Sequence, residues 1–170
     1  MLKPPINFKN WIESNRHLLK PPVGNQVVFD QGDFMIMVVG GPNSRKDYHV
    51  DPVEEFFFQL EGDMLLKVIE NGQRADIPIK EGEIFLLPKN LPHSPQRFKD
   101  TVGLVIEYKR EEGALDLFQW YCDECNALLH EVSLQLKDIV AQLPPLFKSY
   151  WEDIDSRTCA RCGAVQEPPD

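Results

Sequence analysis

Glu55-Phe56-Phe57-Phe58-Gln59-Leu60-Glu61-Gly62-Asp63-Met64-Leu65-Leu66-Lys67-Val68-Ile69-Glu70-Asn71-Gly72 reads as strand, turn, strand, turn. The apolar runs Glu55 to Leu60 and Met64 to Glu70 are rich in Phe, Val and Ile, the side chains that pack best on a pleated surface. Glu61-Gly62-Asp63 makes a tight connection between them, and Asn71-Gly72 is the strongest short hairpin signal a sequence offers. The same pattern continues on both sides. Upstream, Val27 to Phe29 and Phe34 to Val39 lead to a break at Gly40-Gly41-Pro42-Asn43. Downstream, Ala75 to Ile79, Glu83 to Leu87 and Val102 to Lys109 follow, with Lys80-Glu81-Gly82 as a further turn. Short strands from Pro21 to about Gly113, with no helix between them, predict an all-β sandwich or small barrel rather than an α/β sheet.

The chain has 170 residues, 42% of them hydrophobic, enough for one domain with a small appendage that buries about two-thirds of its unfolded surface. Its 27 acidic residues against 18 basic ones give a net charge of -9, which repels phosphate backbones and anionic membranes. Neither nucleic acid nor membrane is expected as a partner. The longest apolar runs, such as Phe34 to Val39 and Ile84 to Pro88, have about one-third of the roughly 20 residues a membrane-spanning helix needs. Met1 to Ser14 carries Lys3, Lys9 and Glu13 with two prolines, unlike a secretory signal, so a reducing cytoplasm is the expected compartment.

Beyond Gly113 the periodicity changes. Val132, Leu136, Ile139, Val140 and Leu143 recur at spacings of three and four, predicting an amphipathic helix that His130 begins and Pro144-Pro145 stops. A second short helix is expected over Leu146 to Ile154, then a frayed end at Glu167-Pro168-Pro169-Asp170. The expected division is a barrel over 1–113 and a tail over 114–170.

The tail holds all four cysteines. Cys122-Asp123-Glu124-Cys125 and Cys159-Ala160-Arg161-Cys162 are two Cys-x-x-Cys pairs with 33 residues between them, and each pair can wrap one side of a tetrahedral metal. Asn126 and Gly163 follow the pairs directly and tolerate the left-handed backbone of a metal knuckle. Disulfides would require an oxidising compartment. Four thiolates suit iron or zinc equally and leave no position for substrate, so a structural site clamping the tail is expected, with electron transfer as the other reading. Trp120 and Tyr121 are expected to pack beside it.

Of four histidines, His17 and His130 read as surface or capping residues. His49 is different, because Glu55 follows six residues on and leads into Phe56-Phe57-Phe58, where a bare carboxylate would be costly to bury. With His93 the pair could form a two-histidine, one-carboxylate iron site with open positions for substrate and dioxygen. Taken alone, Arg45 and Arg97 read as surface arginines and Glu107 as a solvent-facing edge residue; Phe56 to Phe58 and Phe85 to Leu87 read as core or interface.

His49, five residues, Glu55, six residues, Gly62, followed by Gly82, five residues, Pro88 and then His93, resembles the paired cupin motifs. Asp51 stands where many cupins have a second histidine, Asn90 replaces a glycine and Arg97 an asparagine. With Arg45-Lys46-Asp47-Tyr48-His49, Leu86 to Arg97, Trp120 to Cys125 and Cys159 to Cys162, the chain resembles the 3-hydroxyanthranilate 3,4-dioxygenase family over nearly its whole length, in its short single-cupin form.

The resemblance implies a double-stranded β-helix, or jelly-roll barrel, with a metal-bearing tail, assembled as a homodimer. It implies Fe(II) held by His49, Glu55 and His93, a second Fe or Zn on the cysteines, and opening of 3-hydroxyanthranilate by O2 to 2-amino-3-carboxymuconate semialdehyde, a precursor of quinolinate and nicotinamide cofactors. Arg45 and Arg97 would pair with the substrate carboxylate, Glu107 would take a proton from its hydroxyl and amino side, and Asn25 would touch substrate. Another cupin dioxygenase, or a non-catalytic ligand-binding cupin, is the alternative.

Overall fold

The computed structural model describes residues 4–21 and 24–169, so the expectations for Met1 to Lys3, for the Pro22-Val23 stretch before Asn25, and for Asp170 lie outside the described residues. The described strands are β1 (Asn25–Phe29), β2 (Phe34–Gly40), β3 (Asp47–Val50), β4 (Glu55–Glu61), β5 (Met64–Glu70), β6 (Gln73–Ile79), β7 (Ile84–Leu87), β8 (His93–Arg97), β9 (Val102–Tyr108), β10 (Asp116–Tyr121) and β11 (Leu128–Leu134). They form two antiparallel sheets, β1-β2-β9-β4-β7 and β11-β10-β3-β8-β5-β6. The chain passes back and forth between the two, which makes the double-stranded β-helix of a cupin.

Alternation explains which faces are buried. In β4 Glu55, Phe57 and Gln59 point inward, and in β5 Met64, Leu66 and Val68 do so. With Met37, Val39, Ile79, Leu87 and Val105 the apolar members of these stripes fill the space between the sheets. Asn71 and Gly72 both have positive φ, 51° and 75°, as the tight β5–β6 hairpin requires. A helix, α1 (Phe8–Asn15), capped by the Asn7 side chain, packs Ile12 against Leu19, Val38 and Val102 on the outside of the first sheet.

The expected strands are all present, but the barrel contains four more. β3 and β8 are Asp-Tyr-His-Val and His-Ser-Pro-Gln-Arg, nearly all buried and mostly polar. They lack the apolar run that marks a strand because their inward positions carry the site. β10 and β11 correct the helix expected from Val132 and begun by His130: residues 128–134 pair with β10 along its length. Glu131 and Ser133 face outward while Val132 and Leu134 pack inward, a strand alternation that overlaps by chance with a helical spacing.

The helical part of the tail starts later, with α2 (Ile139–Glu152), N-capped by Asp138, and α3 (Ile154–Arg157). Pro144 and Pro145 lie inside α2 and do not stop it. Their missing N–H groups leave two carbonyls a turn earlier without helical partners, a cost that packing outweighs. Leu143, Leu146, Phe147 and Trp151 pack against the buried cluster of Phe118, Trp120 and Tyr150. The Leu146 to Ile154 stretch is therefore mostly the second half of one helix. No described helix is long and apolar enough to cross a membrane.

Candidate metal centre and its cavity

Strand register builds the centre. β3 and β8 meet at one pair, His49 opposite His93, and across the barrel β4 and β9 set Glu55 opposite Glu107. Inward alternation aims all four into the same space. The ligand atoms of His49, Glu55 and His93 lie within 4.8 Å of one another, a donor set of two imidazoles and a carboxylate that could hold a metal ion. His93 Nε2 is 2.9 Å from Glu55 Oε1, and its Nδ1 donates to the Leu91 carbonyl at 2.9 Å, which turns Nε2 towards the centre. His49 Nδ1 lies 3.8 Å from the same Glu55 oxygen, while Nε2 hydrogen-bonds Asp116 Oδ1 at 2.8 Å. The His49 ring stacks on Phe118 of β10, with centroids 4.9 Å apart.

Four buried carboxylates, Asp51, Glu55, Glu107 and Asp116, crowd this end of the barrel. Arg110 neutralises part of that charge: its Nε donates to both Asp116 oxygens at 2.7 and 2.8 Å, Nη1 to Glu107 at 2.9 Å and Nη2 to Asp51 at 2.7 Å. The remaining excess shows in the ionisation of the group. Burial, reinforced by the Glu55 charge and only partly offset by Arg110, pushes Glu107 up to about 7. Burial together with Glu107 and Glu55 pushes Asp51 up to about 8 against the pull of Arg110. For Glu55 burial acts upward too, but the facing His93 and His49 outweigh it and hold the carboxyl at about 2. Such a cluster is electrostatically suited to a bound cation.

Asn25, Arg45, His49, Glu55, His93, Arg97 and Glu107 all line one cavity of about 120 Å³. Its walls are apolar, with Met37, Phe57, Pro95, Val105 and Leu143 among them. Neither arginine is a surface residue and Glu107 is not a solvent-facing edge residue. Arg45 pairs with Asp47, and its guanidinium carbon stands 6.0 Å from the Phe147 ring of α2. Arg97, 4% exposed, donates Nη1 to Gln59 Oε1 at 3.3 Å, and burial lowers it to about 10. A larger recess of about 400 Å³ adjoins the outer side of Arg45 and Lys46, under Phe147 and Trp151.

The cysteines form a separate cluster. Cys122 Sγ and Cys162 Sγ are 3.5 Å apart, Cys125 Sγ and Cys159 Sγ 3.6 Å, and all four lie within 4.8 Å of one another. Four sulfurs about 2.3 Å from a central zinc would be about 3.8 Å apart, so the set fits a tetrahedral ion. The two loops repeat one geometry: Cys122 and Cys159 carbonyls accept from Asn126 and Gly163 amides, whose φ values are 60° and 77°. The Cys162 and Arg161 amides lower the Cys159 thiol to about 6. Trp120 stacks on Tyr150, centroids 4.2 Å apart, and the Tyr121 carbonyl accepts from Gln166 at 2.9 Å. His17 and His130 belong to neither cluster; His130 sits beside Trp120 and Tyr150.

Arg110, Asp116 and Gln59 are the site residues that sequence reasoning missed. Arg110 hides in the charged run Lys109-Arg110-Glu111-Glu112, which reads as solvated surface. Asp116 has a signal, as an acid opening the apolar alternation of Asp116-Leu117-Phe118-Gln119-Trp120, but nothing in the spacing ties it to His49.

Residues 1–151 match the family described as 3-hydroxyanthranilic acid dioxygenase. A 3-hydroxyanthranilate 3,4-dioxygenase of Jannaschia sp. (strain CCS1) is 55% identical over 169 residues, covering 97% of this chain and 94% of that protein. One of Ruegeria pomeroyi is 54% identical over the same shares of both chains. Among solved structures, a Neisseria meningitidis protein covers 62% of this chain and 100% of its own at a TM-score of 0.51 and 20% identity, a likeness of fold alone. A match that runs nearly end to end over both clusters of potential metal ligands and the cavity between the sheets leaves one assignment: the chain belongs to the 3-hydroxyanthranilic acid dioxygenase family.

Proposed function

We propose that the protein is an extradiol ring-cleaving dioxygenase that converts 3-hydroxyanthranilate and O2 to 2-amino-3-carboxymuconate semialdehyde. Fe(II) would be held by His49, Glu55 and His93, and a second Fe or Zn by Cys122, Cys125, Cys159 and Cys162. The observation that carries this reading is one cavity in which the His-Glu-His donor set, two arginines and Glu107 converge. Bound Fe(II) supplies Lewis acidity towards the substrate's adjacent hydroxyl and amino groups and one-electron chemistry with dioxygen.

The chain's own residues do the rest. Arg97 and Arg45 bind the carboxylate, which is ortho to the amino group, so that holding it fixes which edge of the ring faces the triad. Phe57, Val105, Met37 and Pro95 hold the ring and exclude water. Glu107, raised to about 7, is matched to accepting the substrate hydroxyl proton near neutral pH. Asn25, which lines the same cavity, would touch the substrate. Residues 1–113 supply most of these groups, and residues 114–170, which open with the barrel strands β10 and β11, supply Phe118, Leu143 and the cysteine cluster.

A homodimer is supported by the outer face of the first sheet, where Ile84 and Leu86 on edge strand β7 are 64% and 57% exposed and Tyr108 and Phe34, on β9 and β2, are exposed further across the sheet. Free cysteines poised for metal suit a reducing cytoplasm. The test is a single preparation, loaded with iron anaerobically. It should hold two metals per chain, sediment at about twice the 19.6 kDa chain mass, and on admission of air consume O2 and 3-hydroxyanthranilate in equal amounts. Folded, iron-replete protein without turnover refutes the reading.

A further inference from the structure

We infer that Gln59 and Gly103 are positioning residues that hold Arg97 in place without neutralising it, and thereby set the preference of the cavity for a carboxylate-bearing aromatic. The inference rests on the reading of Arg97 as a carboxylate-binding residue.

The other arginines at the cavity are matched with acids: Arg45 with Asp47, and Arg110 with Asp51, Glu107 and Asp116. Arg97 makes no ion pair among the described residues, although it is almost fully buried. Its guanidinium is tethered by one neutral acceptor, the Oε1 of Gln59, itself 1% exposed. The amide orientation is fixed from behind, because Gln59 Nε2 donates to the Glu61 carbonyl at 3.2 Å, so oxygen and not nitrogen faces the arginine. A carboxylate at position 59 would bind the guanidinium more tightly, but it would also satisfy the charge that an incoming anion needs.

Gly103 provides the room. It lies directly across from Gln59 in the β4–β9 register, on the inward stripe that continues through Val105 to Glu107. A Cβ there would stand 2.5 Å from Arg97 Nη1, 2.9 Å from Gln59 Oε1 and 3.2 Å from the guanidinium carbon. These are the ends of two side chains and not backbone. Adding a methyl group would therefore displace the tether and its arginine while leaving the strand pairing intact.

The test measures binding to the iron-loaded full chain without oxygen, by calorimetry, for 3-hydroxyanthranilate and for 2-aminophenol. The second ligand keeps the hydroxyl and amino groups but lacks the carboxylate. Gln59→Glu and Gly103→Ala should each weaken 3-hydroxyanthranilate on the order of ten- to hundredfold, while 2-aminophenol changes by less than about twofold. A parent protein that binds both ligands equally overturns the carboxylate reading of Arg97 and this inference with it. A parent that discriminates, with variants that lose both ligands alike or neither, overturns the inference alone.

Discussion

Glu107 carries an acid where the barrel would otherwise be apolar, and its ionisation is set by its surroundings. Folded, it titrates at about 7; in the unfolded chain it returns to 4.5. The stability associated with its protonated form is complete below 4.5 and lost as pH rises through 7, because the unfolded chain then ionises more readily than the folded one. Across that window the loss is at most about 3 kcal/mol. Glu107→Gln removes the titration. Melting temperatures of metal-free parent and variant should therefore diverge in the variant's favour by several degrees between pH 5 and pH 8. Metal bound at the triad favours the ionised form and should flatten the parent curve. Parallel melting curves over this range would show that Glu107 ionises as it does in the unfolded chain.

At the scale of elements, β10 serves the triad from behind. Asp116, with 0% exposure, accepts from His49 Nε2 and is held by both of its oxygens to Arg110. A carboxylate in this position fixes which imidazole nitrogen stays protonated and how the ring is aimed, a role that typically carries 10- to 100-fold in metal affinity. Asp116→Asn should weaken Fe(II) binding by about that factor in a chelator competition without substrate. Unchanged affinity would leave Asp116 as a partner of Arg110 only. What the sequence revealed at this scale follows physical lines. β2, β4, β5 and β9 announce themselves by apolar runs and turn residues, and Glu55 by its cost in such a strand. β3 and β8 are short and polar because the site occupies them, so only the cupin spacing of His49 and His93 pointed there. Arg110 gave no local pattern and Asp116 only an acid at the head of an apolar alternation, since their meaning lies in a network of residues up to 67 positions apart. Pro144 and Pro145 misled because a local rule was overridden by packing on Trp120.

The whole molecule is closed by its tail. The cysteine cluster fastens the last residues of the chain to the barrel: Gln166 donates to the Tyr121 carbonyl and to Asp123 and accepts from Tyr150, while Arg74 of β6 donates to the Cys122 carbonyl and Lys46 pairs with Asp123. Tyr150 belongs to α2, whose Ile139 and Leu143 line the cavity. A metal on the four thiolates would thus contribute folding free energy to one end of the active-site wall, though the triad itself lies in the sheets. Cys162→Ser replaces the exposed member of the cluster and keeps nearly the same side-chain volume. Metal analysis should then fall from two ions per chain to one, with iron still bound at the triad. Loss of about 2–3 kcal/mol would lower the melting temperature by about 4–12 °C for a chain of this size. A variant that melts like the parent yet no longer consumes oxygen would overturn the structural role, because a clamp can affect chemistry only through the stability and position of what it holds, whereas an electron carrier acts with the fold unchanged.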